Sequence, residues 1–288
     1  MSLKNTQVIL VNRPDGWVLE SDFRLVQTDL PDLQDGEVLV QNTFLSLDPY
    51  MRGRMNTTKS YAEPVELGGV MVGGTVGVVI ASKNPRFLEQ ETVLGHFGWQ
   101  QYGISKGDGL RKITNQQVPS SAYLGVLGMP GLTAWVGLID IGQPKQGETV
   151  VVSAASGAVG SVVGQLAKVR GCRVVGIAGG KAKCDYVVNE LGFAACVDYK
   201  AGHLVEDLAA ATPDGIDVYF DNVGGEILDA VLERLNSFAR IPLCGLVSQY
   251  NATRPYQLRN FHLFSTCEIA GGARKLLQAA AFSSDFLN

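Results

Sequence analysis

Apolar residues come in two kinds of run along this chain. Up to about residue 113 they form short strand-like segments, as at 7–12, 23–29 and 36–43, the last of them alternating, with Val38 and Val40 on one face. Pro14, Pro31 and Gly36 punctuate these runs, and no helical pattern separates them, which predicts an irregular, mainly antiparallel domain. Gly73, Gly74 and Gly77 interrupt a β-branched run at 70–81, as in a barrel wall that must curve, and 93–99 reads as a further strand. Residues 118–127 look helical, and the breaker cluster at 128–134 precedes an apolar helix reaching about residue 141, with Leu132, Trp135, Val136 and Ile139 on one face.

From residue 150 the pattern changes. Strand-like runs at 150–152, 173–178, 194–198, 216–221 and 240–245 are spaced by helical stretches, the alternation that builds a parallel sheet. Ser153 to Ser156 are small, and Gly157, Gly160 and Gly164 follow, so the first of these strands runs through a tight turn into a helix. That unit offers free N–H groups and the positive end of a helix dipole to a pyrophosphate, making Ser156, Gly157, Ala158, Val159 and Gly160 candidate cofactor contacts. A purely structural glycine turn is the competing reading; the repeated β-α units around it favour nucleotide binding.

The second strand leads into Gly179-Gly180-Lys181-Ala182-Lys183, with no carboxylate where an NAD site would hold the ribose hydroxyls. Lysines there attract a 2′-phosphate, so NADPH is the expected cofactor, with Gly180 and Lys183 as candidate contacts; a solvated helix face is the plainer alternative. The fourth strand ends in Asp221-Asn222-Val223-Gly224-Gly225, which brings Asn222 and Val223 to the same sheet edge, and the fifth leads to Tyr250. In the first domain Pro49 restricts Asp48 to extended geometry, so the segment around Tyr50 is a turn that either is plain surface or faces a substrate.

Composition narrows the class. The 288 residues are 46% apolar and 18% charged, enough for two ordinary cores, and a net charge of −4 without a basic stripe argues against a nucleic-acid partner. No apolar run suits a membrane span and no leader pattern opens the chain, so a cytoplasmic protein is expected. The five cysteines are dispersed, and neither they nor the three histidines have metal-ligand spacing; His96 reads as a packed or hydrogen-bonded histidine.

The segments Leu47-Asp48-Pro49-Tyr50-Met51-Arg52, 128–135, 154–164, 192–200, 221–226 and 245–251 together resemble the zinc-independent medium-chain dehydrogenase/reductases, in their branch of NADPH-dependent enone reductases. The resemblance runs from residue 7 to about 261. It implies an α/β protein with a GroES-like, partly open β-barrel substrate domain over residues 1–120 and a Rossmann NADP-binding domain over 121–262. In such relatives the lysine matching Lys183 meets the 2′-phosphate, residues matching Tyr199 and Asn222 touch the cofactor, and tyrosines matching Tyr50 and Tyr250 approach the substrate. The implied reaction is hydride transfer from NADPH to the β-carbon of a small-molecule enone, leaving an enolate to be stabilised by a tyrosine, a ribose hydroxyl or water.

Residues 263–288 depart from the family pattern. A helix at 273–281 is expected, with no alternating closing strand, so the C-terminal part of the usual fold is expected to be missing. Three activities stay open on that reading: a working enone reductase, an impaired relative that binds NADPH, and a quinone reductase of the zeta-crystallin kind. A homodimer is also left open, because the altered region often carries the strand that pairs subunits.

Overall fold

A computed structural model describes residues 3–58, 62–115, 117–260 and 262–263. The chain divides into two compact units, one running through Gly128 and the other starting at Met129.

The first unit is built from antiparallel strands. β1 (Lys4–Leu10) pairs with β2 (Phe23–Asp29). The strands β3 (Val38–Leu45), β4 (Thr75–Ser82), β5 (Thr92–Gly95), β6 (Tyr102–Ser105) and β7 (Arg111–Lys112) form a second sheet in the order β6-β3-β4-β5-β7. Isolated bridges from Gln7 to Gln100 and from Ile9 to Val70 attach the first sheet to segments flanking the second. The alternation read from the sequence has its structural counterpart: Val38 and Val40 are buried with Val79, Phe87 and Val93 in one core. A second core gathers Leu10, Met51, Met55, Val65 and Met71, and carries the short helix α1 (Tyr50–Arg54). This is the non-closed, GroES-like arrangement expected of the domain. The strand expected from residue 70 starts only at Thr75, after a single bridge at Val70.

The second unit is a parallel sheet with helices on both faces. Its strands are β8 (Thr149–Ser153), β9 (Arg173–Ala178), β10 (Ala195–Asp198), β11 (Ile216–Phe220) and β12 (Leu235–Arg240), in the order β10-β9-β8-β11-β12. Between them run α3 (Gly160–Val169), α4 (Lys181–Asn189), α5 (Leu204–Ala211) and α6 (Gly225–Leu232). This is the Rossmann order, in which the chain reverses direction across the sheet between β8 and β11. Alternate valines of β8 feed opposite cores: Val150 and Val152 pack with Leu138, Val163 and Ala167, and Val151 packs with Val175, Leu228 and Val231. Every residue of β8 is buried, which accounts for its uninterrupted apolar reading.

Three expectations are corrected. The fifth strand is Leu235–Arg240, not 240–245; Pro242 and Leu243 contribute only an isolated bridge to Asp221 and one N–H bond from it. Proline cannot donate to a ladder, which shortens the pairing there. The cluster at 128–134 is not a break before a helix: α2 (Met129–Trp135) includes Pro130 and Gly131 in its first turn, where a missing N–H costs nothing, and continues as a π-helical stretch Val136–Gly142. The helix expected at 118–127 is a single 3₁₀ segment, Ser120–Leu124. The tail, with its expected helix at 273–281, lies outside the described residues. Among the described residues no helix is long and apolar enough to cross a membrane.

α3 lies so close to the neighbouring chain that a methyl group on Gly164 would overlap the ring of Phe193. In an open helix Gly→Ala stabilises by up to about 1 kcal/mol. Here Gly164→Ala is expected to destabilise by roughly 1–3 kcal/mol through overpacking. The urea unfolding midpoint checks the sign: a midpoint that rises contradicts the close approach.

Candidate functional site

Four consecutive parallel strands end on one edge of the second unit's sheet, and the expected cofactor contacts follow those ends directly. Residues 156–160 follow β8, Gly180 and Lys183 follow β9, Tyr199 follows β10, and Asn222 and Val223 follow β11. In open α/β sheets this carboxyl edge, beside the point of reversal, is where ligands bind.

The turn after β8 begins at Ala154, which holds a left-handed backbone with φ of 50°. Gly157 N–H donates to the Ala154 carbonyl at 2.9 Å, closing the turn. α3 then starts at Gly160, whose Cα approaches that carbonyl so closely that any side chain would overlap it. Among the described residues the N–H groups of Ser156, Ala158 and Val159 have no acceptor in the chain. Unclaimed amides at the start of a ten-residue helix are a donor set for an anion, and they fit a pyrophosphate.

At the turn after β9, Gly180 has a φ of 96° and donates its N–H to Asp198 Oδ1 at 2.7 Å. Its amide is therefore engaged, but its Cα side is open, with nothing within 4 Å of a built Cβ. Tyr199 is half exposed and lays its ring against Gly179. Lys181 and Lys183 differ in their surroundings: Lys181 pairs with Asp185 at 2.6 Å, whereas the exposed Lys183 has no ion-pair partner among the described residues.

The turn after β11 is tied down by its neighbours. Asn222 donates its N–H to Ser153 Oγ at 2.9 Å and its Nδ2 to the Ser153 carbonyl at 2.8 Å. The carbonyls of Asn222 and Val223 accept from the N–H groups of Val247 and Ser248 at 3.2 Å each. Tyr250 directly follows the 3₁₀ segment Val247–Gln249, so the second unit brings the residue 156–160 turn, Asn222, Val223 and the Tyr250 segment together along one edge. Tyr50 belongs to the first unit: it opens α1, packs against the Leu10–Met71 core, and has the Arg54 guanidinium 5.8 Å from its ring centre. Near it, burial raises the Asp48 carboxyl, partly offset by a hydrogen bond from Ser46.

Sequence reasoning did not single out Ser153, Asp198, Tyr219 or Asp221 as parts of this edge. Asp198 and Asp221 stand at strand ends, and that position was the available signal.

Zinc does not fit the described residues: no group of three or more His, Cys, Asp or Glu is placed to hold a metal. His96 is exposed by area, while the burial of its imidazole, enough to lower its pKa from the ordinary 6.5, fits the expected partly packed histidine. The described cysteines are unpaired thiols. Burial pushes Cys244 up to about 12, with the Asp221 charge adding to it. Burial also raises Cys196, which is hydrogen-bonded to Cys184, and raises Cys172 beside Glu148.

A family model described as the N-terminal domain of oxidoreductase matches residues 6–113, and one described as zinc-binding dehydrogenase matches residues 158–280. The NADPH-dependent curcumin reductase of Escherichia coli (strain K12) is 54% identical over 250 residues, which cover 87% of this chain and 72% of the relative. Prostaglandin reductase 1 of Rattus norvegicus is 47% identical over 245 residues, covering 84% and 72%. The solved structure of CurA in complex with NADPH from Vibrio vulnificus superposes with a TM-score of 0.85 at 47% identity, covering 98% of this chain and 88% of that one.

Hydrogen bonds from the Gly180 and Lys200 amides hold the Asp198 carboxyl below its ordinary value of 3.8. A depressed folded pKa gives stability that is complete above the unfolded value and is lost as the pH falls through the folded one. The stability gap between the wild type and Asp198→Asn is therefore expected to close as the pH falls below 3.8, measured by urea unfolding across that range. A gap independent of pH contradicts this role for the ionised carboxylate.

Proposed function

The chain belongs to the zinc-independent medium-chain dehydrogenase/reductases, within their NADPH-dependent enone reductase branch, and from that membership we propose a reduction of the carbon–carbon double bond of small α,β-unsaturated ketones or aldehydes. NADPH, when bound, supplies the hydride, which the β-carbon of the enone receives. The observation that carries the reading is the set of unclaimed amides at Ser156, Ala158 and Val159, at the start of α3 and beside the point of chain reversal.

Each candidate residue takes a role that its surroundings support. Residues Ser156, Gly157, Ala158, Val159 and Gly160 hold the pyrophosphate. Lys183 meets the 2′-phosphate, a role supported by the pairing of its neighbour Lys181 with Asp185. Gly180 and Tyr199 frame the same end, and Asn222 and Val223 hold the nicotinamide ribose. Tyr250 in the second unit, or Tyr50 in the first, donates its hydroxyl to the oxygen where the enolate charge develops. The first unit is read as the substrate domain and the second as the cofactor domain. Dispersed free thiols support a cytoplasmic enzyme, and a homodimer is the assembly proposed.

Lys183→Ala is expected to raise KM for NADPH about tenfold or more, the scale of one hydrogen bond to a charged group, with NADH-driven turnover little changed. Steady-state NADPH oxidation with a simple enone and with a quinone measures this, and equal use of both nucleotides by the wild type refutes the lysine's part. Tyr50→Phe and Tyr250→Phe are compared in kcat: loss of the aimed donor costs on the order of 10²-fold, so one variant should fall by that much. An unchanged kcat in both removes the tyrosines from the reaction.

A further inference from the structure

Asp221 follows β11 with no solvent exposure. Its main chain is joined to the next segment, donating to the Pro242 carbonyl at 2.9 Å and accepting from Cys244 and Gly245. Its side chain is loaded on one oxygen. Oδ1 accepts from the N–H groups of Val223 and Gly224 at 2.8 Å each, from Tyr219 Oη at 2.8 Å and from Ser153 Oγ at 3.2 Å. Oδ2 is buried and has no partner. A buried carboxyl with one bare oxygen is costly to keep, and it persists here with four donors that would be left unsatisfied without it.

Ser153 shows what the arrangement achieves. It is the last residue of β8, directly ahead of the Ala154 turn, and its hydroxyl donates to Asp221 while accepting from Asn222 N–H. One small network thus fixes the turn after β11 to the end of β8. The two turns belong to adjacent strands on either side of the chain reversal.

We propose that Asp221 is a positioning residue for the reaction: through Ser153 it holds residues 222–224 in register with residues 154–160, and so sets where the nicotinamide end of the cofactor lies relative to its pyrophosphate end. The proposal rests on the functional reading above for its link to cofactor, but the coupling of the two turns stands on the hydrogen bonds alone. An asparagine at 221 keeps an accepting oxygen yet buries an NH2 group where Oδ2 has no partner, and Ser153→Ala removes the hydroxyl link while keeping the carboxyl and the Asn222 Nδ2 bond to the main-chain carbonyl of residue 153.

The test combines hydrogen exchange on the free protein with steady-state kinetics for Asp221→Asn and Ser153→Ala. The amides of Ala155, Gly157, Val223 and Gly224 are all hydrogen-bonded in the wild type. All four are expected to exchange faster in both variants, and KM for NADPH is expected to rise about tenfold, while KM for the enone stays within about twofold. A merely destabilised enzyme loses active fraction, which lowers the apparent kcat and leaves KM where it was. Should Asp221→Asn fail to fold, Ser153→Ala decides. Faster exchange confined to residues 223–224, or an unchanged KM for NADPH in folded Ser153→Ala, overturns the proposal. A wild type that binds no NADPH overturns the functional reading instead, and the exchange comparison, which needs no cofactor, still decides the coupling.

Discussion

Burial of β8 on both faces is the constraint from which the carboxyl edge follows. Fully burying one valine side chain is worth about 1.5–3 kcal/mol, so the three valines of this strand supply an amount comparable with the roughly 5–15 kcal/mol that holds a whole domain together. Because Val150 and Val152 serve one core and Val151 the other, a slip by one residue would send each set into the core packed around the other. The strand therefore delivers Ser153 and the Ala154 turn to a fixed height between β9 and β11, and the start of α3 inherits that precision.

Polar groups finish what packing begins. Asp198 engages the Gly180 amide, Ser153 and Asp221 fasten the turn after β11, and the amides of Ser156, Ala158 and Val159 are left without partners among the described residues. The edge thus separates donors already committed to the fold from donors that remain for an anion. Charge follows the same division, since Asp185 occupies Lys181 and Lys183 has no ion-pair partner among the described residues. Solvent screens such exposed charges, so the buried bonds at Ser153 and Asp221 carry more of the local order than the surface pair.

How much of this was legible in the sequence depended on whether the local signal and the tertiary demand agreed. β2 and β9 match their expected bounds because the strand-like segments there end at turn residues that the structure also uses. The fifth strand was misplaced because 241–245 is apolar, whereas β12 is an edge strand among the described residues, and half-exposed edge positions need no such pattern. Pro130 and Gly131 read as breakers, yet the first turn of a helix tolerates both. At the site, spacing pointed to the glycines and Lys183, since their chemistry is written in residue type. Ser153 and Asp221 were missed because their meaning lies in a contact between residues far apart in sequence, which no spacing reveals.

The thiols carry a consequence for an enzyme of this kind. α,β-Unsaturated carbonyl compounds are Michael acceptors that alkylate thiolates, so a catalyst handling them is threatened by its own substrates. Only the deprotonated sulfur is attacked at an appreciable rate. With Cys244 near 12 and Cys172 and Cys196 also raised by burial, these three sulfurs stay protonated at neutral pH. The same desolvation that packs the sheet thereby lowers the reactivity of these three thiols toward such compounds, a form of chemical tolerance obtained without any dedicated group.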